Sequence, residues 1–186
     1  MVLVYILIGI VVILGLWVLV TYNSLIGLRN DVKKAFSGID VQLKRRSDLI
    51  PNLVNTVKAY AKHEKEVLEN VTKARTSIMN GSANGDIKQM AQGENMLSGA
   101  LKSLFAVAEN YPDLKANQNF LELQQELSET EDQVAASRRI YNENVTYFNN
   151  KIQMVPSNII AGMFNFKAED LFEAQETERK NVEVKF

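Results

Sequence analysis

No charged residue interrupts "VLVYILIGIVVILGLWVLV", Val2 to Val20. At about 1.5 Å per residue such a helix is roughly 28 Å long, close to the hydrocarbon thickness of a bilayer. A helix that is apolar on every face has no side to present to water. Tyr5, Trp17 and Tyr22 stand towards its ends, where amphipathic rings favour the headgroup level. A cleaved leader would carry a basic start and a small-x-small cleavage site. Neither pattern is found here, so residues 1–22 are expected to be an uncleaved transmembrane anchor.

After Tyr22 the pattern changes. Leu25, Leu28, Val32, Phe36, Ile39 and Leu43 recur at steps of three and four, and Ile50, Leu53, Val54, Val57, Ala61, Leu68, Val71 and Ile78 continue the series. That spacing puts one apolar stripe on a helix. The series misses at Arg46-Ser47 and again at Glu64-Lys65, yet keeps its phase across Pro51. A proline without an N–H either bends a continuing helix or opens a new one, here with Ser47 as its cap. The surviving phase predicts one helix, kinked at Pro51, from the membrane to about Met79. The alternative is a hairpin at Arg45 to Asp48, which would make four bundle helices instead of three.

"NGSANGD", residues 80 to 86, predicts a turn, with Asp86 capping a helix whose inward stripe is Ile87, Met90, Leu97, Leu101, Leu104, Phe105 and Ala108. Gly93 and Gly99 lie inside it and mark either a close neighbour or a weak stretch. Pro112 breaks the chain, and a long helix is expected from about Leu114 to Val155. Its series Phe120, Leu127, Val134, Tyr141, Phe148 and Val155 is interleaved with Gln124, Glu131, Arg138, Val145 and Ile152. The polar members either snorkel from the edge of a seam or form a buried ionic layer. In such a layer Glu131 pairs with Arg138 or with Arg46 and fixes register.

The helix from Asp86 to Glu109 is about half as long as the next, so it cannot cover both long neighbours. "VPSNIIAGMFNF", with Pro156 ending the long helix, is expected to cover the end near Phe148. Self-association through the stripe from Val32 to Leu43, Phe36 included, would cover the rest. The expected fold is therefore all-α: an N-terminal transmembrane helix followed by an elongated antiparallel helical bundle of three to four long helices. The bundle occupies 23–156, and a short helix and C-terminal tail occupy 157–186. The Val184-x-Phe186 end docks as an extended strip or frays.

Composition narrows the chemistry. Three prolines and nine glycines in 186 residues suit long helices better than many short strands. Lys and Arg number 21 against 22 Asp and Glu, so no bulk charge draws a polyanion, and the expected partner is a lipid bilayer and not nucleic acid. Arg29, Lys33 and Lys34 follow the span and no cation precedes it, which predicts the bundle in the cytoplasm and the amino terminus outside. Cysteine is absent, which removes disulfides, thiolate metal sites and a cysteine nucleophile.

His63-Glu64 begins like a zinc-protease helix, but the second ligand would fall at residue 67, where Val67 stands. With a single histidine, no metal or other cofactor is expected. The carboxylates Glu126, Glu129, Glu131 and Asp132 suit a solvated face, and no phosphate loop or nucleophile elbow occurs, so no catalytic residue is assigned. "LKRR", residues 43 to 46, lacks interleaved aromatics and is flanked by Asp40 and Asp48, which suits a structural role better than a phosphate contact. "YNENVTYFNN" crowds Asn142, Asn144, Asn149 and Asn150 beside the core residue Tyr141, as either a polar outer face or a partner-binding strip.

Several segments carry a resemblance. "YNSLIGLRNDVKKAFSGIDVQLKRRSDLIPNLVNTVKAYAKHEKEVL", "YPDLKANQNFLELQQELSETEDQVAASRRIYNENVTYFNNKI" and "VPSNIIAGMFNF" resemble the LemA family of bacterial membrane proteins over nearly the whole chain. The resemblance implies one amino-terminal transmembrane helix, an outside amino terminus and a cytoplasmic antiparallel bundle. It implies no established reaction. The family is described as non-enzymatic and is sometimes associated with membrane proteases and envelope stress. That leaves a scaffolding module that self-associates, with accessory regulation of a membrane protease, and so a membrane-protein partner, as the alternative. Where relatives often have "AWS", this chain has Ala35-Phe36-Ser37, an exchange of one aromatic for another that keeps a packing role.

Overall fold

The computed structural model describes residues 1–172, and the Val184-x-Phe186 end lies outside them. Among these residues six helices follow in order: α1 (Val2–Tyr60), α2 (Lys65–Asn84), α3 (Ile87–Ala108), α4 (Pro112–Lys115), α5 (Gln118–Gln153) and α6 (Ser157–Met163). There is no strand among the described residues. Two compact units form, one of Met1–Ser37 with Ile140–Asp170, the other of Gly38–Arg139 with Leu171 and Phe172.

α1 is one helix of 59 residues. Its first part is long and apolar enough to cross a membrane, and none of that apolar window is buried by protein. In the second unit the same helix buries Ile39, Leu43, Ile50, Leu53 and Val57. Pro51 sits inside it, and no hairpin forms at Arg45 to Asp48. A helical proline leaves the carbonyl four residues earlier without a donor. Here that carbonyl belongs to Ser47, and Arg75 Nε of α2 donates to it at 2.9 Å. A side chain thus supplies the hydrogen bond that the proline removed.

The expected run to Met79 is corrected. α1 ends at Tyr60 and α2 begins at Lys65, so the missed beat at Glu64-Lys65 is where the chain reverses. No glycine or proline marks the turn. It is held by the Glu64 N–H on the Ala61 carbonyl at 3.3 Å, and by the Tyr111 hydroxyl on Glu64 Oε1 at 2.9 Å. The pairing is antiparallel: Ser82 Oγ donates to Asp40 Oδ1, and Arg75 to Ser47, so an advance along α1 is a retreat along α2.

The turn expected over 80–86 is shorter. Asn80 to Asn84 remain helical, and Gly85 alone turns the chain at a left-handed φ of 66°. The Asp86 N–H then closes on the Gly81 carbonyl at 2.8 Å, and Asp86 Oδ1 accepts from the Lys88 and Gln89 N–H groups. Such a glycine ends a helix without Cβ strain. Gly93 is a true close approach, since a Cβ there would lie 2.8 Å from the Ile78 backbone nitrogen, whereas Gly99 faces open space.

α5 starts at Gln118 and not Leu114, because α4 ends first and Asn117 Oδ1 then accepts from the Phe120 N–H at 3.1 Å. It stops at Gln153, leaving Val155 exposed outside it. In the second unit α2, α3, the later part of α1 and the first part of α5 bury Val71, Ile78, Met90, Leu97, Leu101, Phe120, Leu127 and Val134, a helical bundle.

The first unit is cored on Leu25, Ile160 and Ala161, with Trp17, Val18, Tyr22, Ile152 and Phe166 packed against them. Phe166 lies 6.3 Å from Phe148, so the tail covers the end of α5. Val32 is buried and Phe36 meets the Tyr141 ring at 6.4 Å. Ile39 and Leu43 are buried in their own unit. Val32, Ile39 and Leu43 are thus covered within the chain, and Phe36 is half-buried.

Candidate functional site

The first missed beat of the α1 stripe is its most chemical position. Arg46 is 1% exposed and Ser47 is fully buried, so Arg46-Ser47 interrupts the apolar run without leaving the core. Two of the four residues of "LKRR", Leu43 and Arg46, point inward, while Lys44 pairs with Asp48 at the surface at 3.0 Å.

Arg46 Nη1 is in contact with Glu94 Oε1 of α3 and donates to Ser98 Oγ at 3.2 Å, and Nη2 pairs with Glu131 Oε2 of α5 at 3.3 Å. Glu94 is buried, whereas the Glu131 side chain is about half exposed. One guanidinium therefore joins three helices of the second unit. Glu94 and Ser98 are four apart, on successive turns of one face of α3.

The charges do not balance, and that sets the protonation. Burial pushes the Glu94 carboxyl up to about 7, the nearby Glu131 carboxylate adds to the shift, and Arg46 and Arg138 oppose it without cancelling it. Arg46 divides its charge between two acids, so burial prevails. Arg46 Nε, Glu94 Oε2 and Ser47 Oγ are buried without a protein partner. The cluster can hold one more proton near neutral pH and can tie three helices together.

Tyr141, Asn142 and Asn149 lie in the first unit. The Tyr141 hydroxyl donates to the Asp170 carbonyl at 2.8 Å, and burial with Glu169 and Asp170 nearby pushes its pKa up to about 12. Asn149 is committed within the chain: its amide donates to the Glu169 carbonyl and accepts from the Glu169 N–H, both at 2.9 Å. Asn142 is half-buried, as is Arg138 in the second unit. Pro51 is exposed and acts through the Ser47 carbonyl. Among the described residues no group of three or more His, Asp or Glu is placed to share a metal, and His63 is exposed.

An open groove of about 720 Å³ runs along the second unit, lined by Val54, Leu68 and Thr72, the lysines Lys58, Lys62, Lys65 and Lys73, and Glu69. Its floor is apolar and its rim is cationic. Sequence reasoning missed both this groove and Glu94. Glu94 stands four residues after Met90 and three before Leu97, the one charged member of the α3 stripe. It matches Arg46, three after Leu43 and four before Ile50. Complementary charges at stripe positions were the available signal.

Among the described residues, one apolar span continuing into a helical bundle with an ionic centre defines a membrane-anchored bundle protein. The chain belongs to the LemA family, whose profile matches residues 35–186. It is 30% identical to Protein LemA of Metamycoplasma hominis over 167 residues, which is 87% of this chain and 73% of that protein. It is 25% identical over 178 residues to magnetosome protein MamQ 2 of Paramagnetospirillum magneticum, and 23% identical over 177 to MamQ of Magnetospirillum gryphiswaldense. Each of these matches covers 83% of this chain and 65% of the relative's length.

Proposed function

We propose that the protein is a non-enzymatic, membrane-anchored assembly module that self-associates through charge-complementary faces of its bundle. The amino terminus lies outside and the bundle in the cytoplasm, an orientation supported by Arg29, Lys33 and Lys34 after the span. The family match begins at Ala35, past the span, which favours the bundle as the working part. The magnetosome relatives are named for a structure and not for a reaction.

The observation that carries the reading is the lysine-rimmed groove. Lys58, Lys62, Lys65 and Lys73 are all exposed over Val54 and Leu68. Glu126, Glu129 and Asp132 are exposed on α5 and offer the opposite charge on a second copy. Such a contact joins two different faces and is weakened by salt. Light scattering of the full chain in detergent tests it. More than one chain per particle is expected at low salt, falling towards one at high salt or with Lys62→Glu and Lys65→Glu together. A single chain at every concentration and salt overturns self-association. A larger particle indifferent to both changes removes the groove as its contact.

A further inference from the structure

We infer that the segment from Met154 to Phe166 is a second membrane contact, an interfacial element seated in the lipid headgroup and upper acyl region beside the end of the span. The inference rests on α1 crossing the bilayer, not on self-association. "MVPSNIIAGMFNF" holds no charged residue, between Lys151 and Lys167. An uncharged apolar stretch of about 10–14 residues is too short to span and suits a buried or an interfacial position.

The structure separates those two alternatives. Ser157, Ile160 and Ala161 form the inward face of α6, while Ile159 is 56% and Met163 70% exposed on the other face, four residues apart. Met154, Val155 and Phe164 extend that exposed apolar surface at 61%, 80% and 49%. Apart from Asn158, exposed in its first turn, α6 carries apolar side chains on its outward face as well, and the protein covers only the inward one.

Position identifies the other. The inward face packs on Leu25, Trp17, Val18 and Tyr22. Trp17 and Val18 belong to the last turn of the apolar span, and the first charge after it is Arg29. α6 therefore touches α1 between the hydrocarbon core and the first cation, at the level where the bilayer meets water. Arg29 lies over the Phe166 ring at 5.3 Å, and Tyr22 contacts Phe164 at 4.6 Å, which places aromatic rings at the depth they favour.

The local backbone holds the segment there. Asn165 takes a left-handed φ of 53°, the Phe166 N–H closes on the Ala161 carbonyl at 2.9 Å, and the Asn165 N–H on the Gly162 carbonyl at 3.2 Å. This helix ending turns Phe166 back onto Ala161. Met163 is left facing away from the protein.

The native chain has no cysteine, so single thiols can be placed in the full-length protein. Ile159→Cys and Met163→Cys, each labelled with an environment-sensitive fluorophore, would be reconstituted into phosphatidylcholine and phosphatidylglycerol vesicles. Leu7→Cys serves as the reference within the span, and Glu143→Cys, exposed on α5, as the aqueous reference. Circular dichroism confirms that helix content is unchanged. Ile159 and Met163 are expected to show a blue-shifted emission, loss of iodide quenching and strong quenching by a doxyl lipid labelled near the headgroup, weaker by one labelled near the chain end. Quenching by iodide as at Glu143, with Leu7 still in lipid, overturns the inference alone. Shielding from both iodide and doxyl lipid seats the segment on protein and overturns it too. An aqueous Leu7 refutes the span, and the interfacial contact with it.

Discussion

The two compact units differ at their centres, one aromatic and aliphatic throughout, the other an apolar core interrupted by an ionic cluster. Near the span, Tyr22, Phe148, Phe164 and Phe166 contact one another at ring separations from 4.6 to 6.3 Å, around Leu25 and Ile160. In the other unit, Arg46, Glu94 and Glu131 occupy a place the apolar stripe would have filled. Apolar surfaces attract in many registers, whereas a buried guanidinium is satisfied only where carboxylates face it. Facing carboxylates suit the ionic centre to selecting one helix alignment, a role that the following measurements test.

The largest test of this contrast is Glu94→Leu at pH 8. It leaves the buried Arg46 guanidinium with half-exposed Glu131 as its remaining carboxylate. Urea unfolding of the full chain in detergent, followed by circular dichroism, is expected to show a loss of about 3–5 kcal/mol. Arg46→Met should cost less, because the abandoned Glu94 can take up a proton. The double replacement should recover wild-type stability or exceed it, while loosening helix alignment. Additive losses would show that the cluster is not acting as a unit.

Titration without mutation gives the next effect. The folded Glu94 pKa is raised to about 7 from an ordinary 4.5. The folded state therefore binds more protons than the unfolded chain between those values. Its contribution to stability is fully present below pH 4.5 and is lost as pH rises through 7. The shift is worth about 3 kcal/mol. In wild type this loss should appear on raising the pH from 4.5 to 7, and Glu94→Gln should flatten that part of the profile. A profile unchanged by Glu94→Gln removes the carboxyl as its cause.

A smaller effect concerns the backbone of α1. Arg75→Leu leaves the Ser47 carbonyl without its donor, at a cost of about 1–3 kcal/mol. With Pro51→Ala the helix can make that bond itself, and most of the cost of Arg75→Leu should disappear. Equal costs in both backgrounds would separate Arg75 from the proline.

These elements explain what the sequence could and could not disclose. The span, the stripe from Leu25 to Val57 and the Asp86 cap follow from periodicity and local hydrogen bonding, and all are present. The reversal at Ala61 to Glu64 was illegible because it has no turn residue, and a tertiary partner, Tyr111, holds it. The missed beats had different meanings, a helix end at Glu64-Lys65 and a buried cation at Arg46. Hydropathy scores both as polar. Telling them apart needed the complementary charge, Glu94, which lies 48 residues away on another helix.

The smallest effect bears on the aromatic unit. Tyr141→Phe keeps the ring against Phe36 and removes the hydroxyl bond to the Asp170 carbonyl. Asp170 is exposed, so water can replace the lost donor, and the cost should stay at about 0.5–1 kcal/mol. The tyrosine titrates only near 12, so the loss should be the same at pH 4.5 and pH 7. Faster hydrogen exchange of the Glu169 and Asp170 amides, with the pH profile otherwise that of wild type, is the expected result. A loss that grows across that interval would mean that proton uptake is coupled to this unit as well. The opposition between an aromatic centre indifferent to pH and an ionic centre governed by it would then fail.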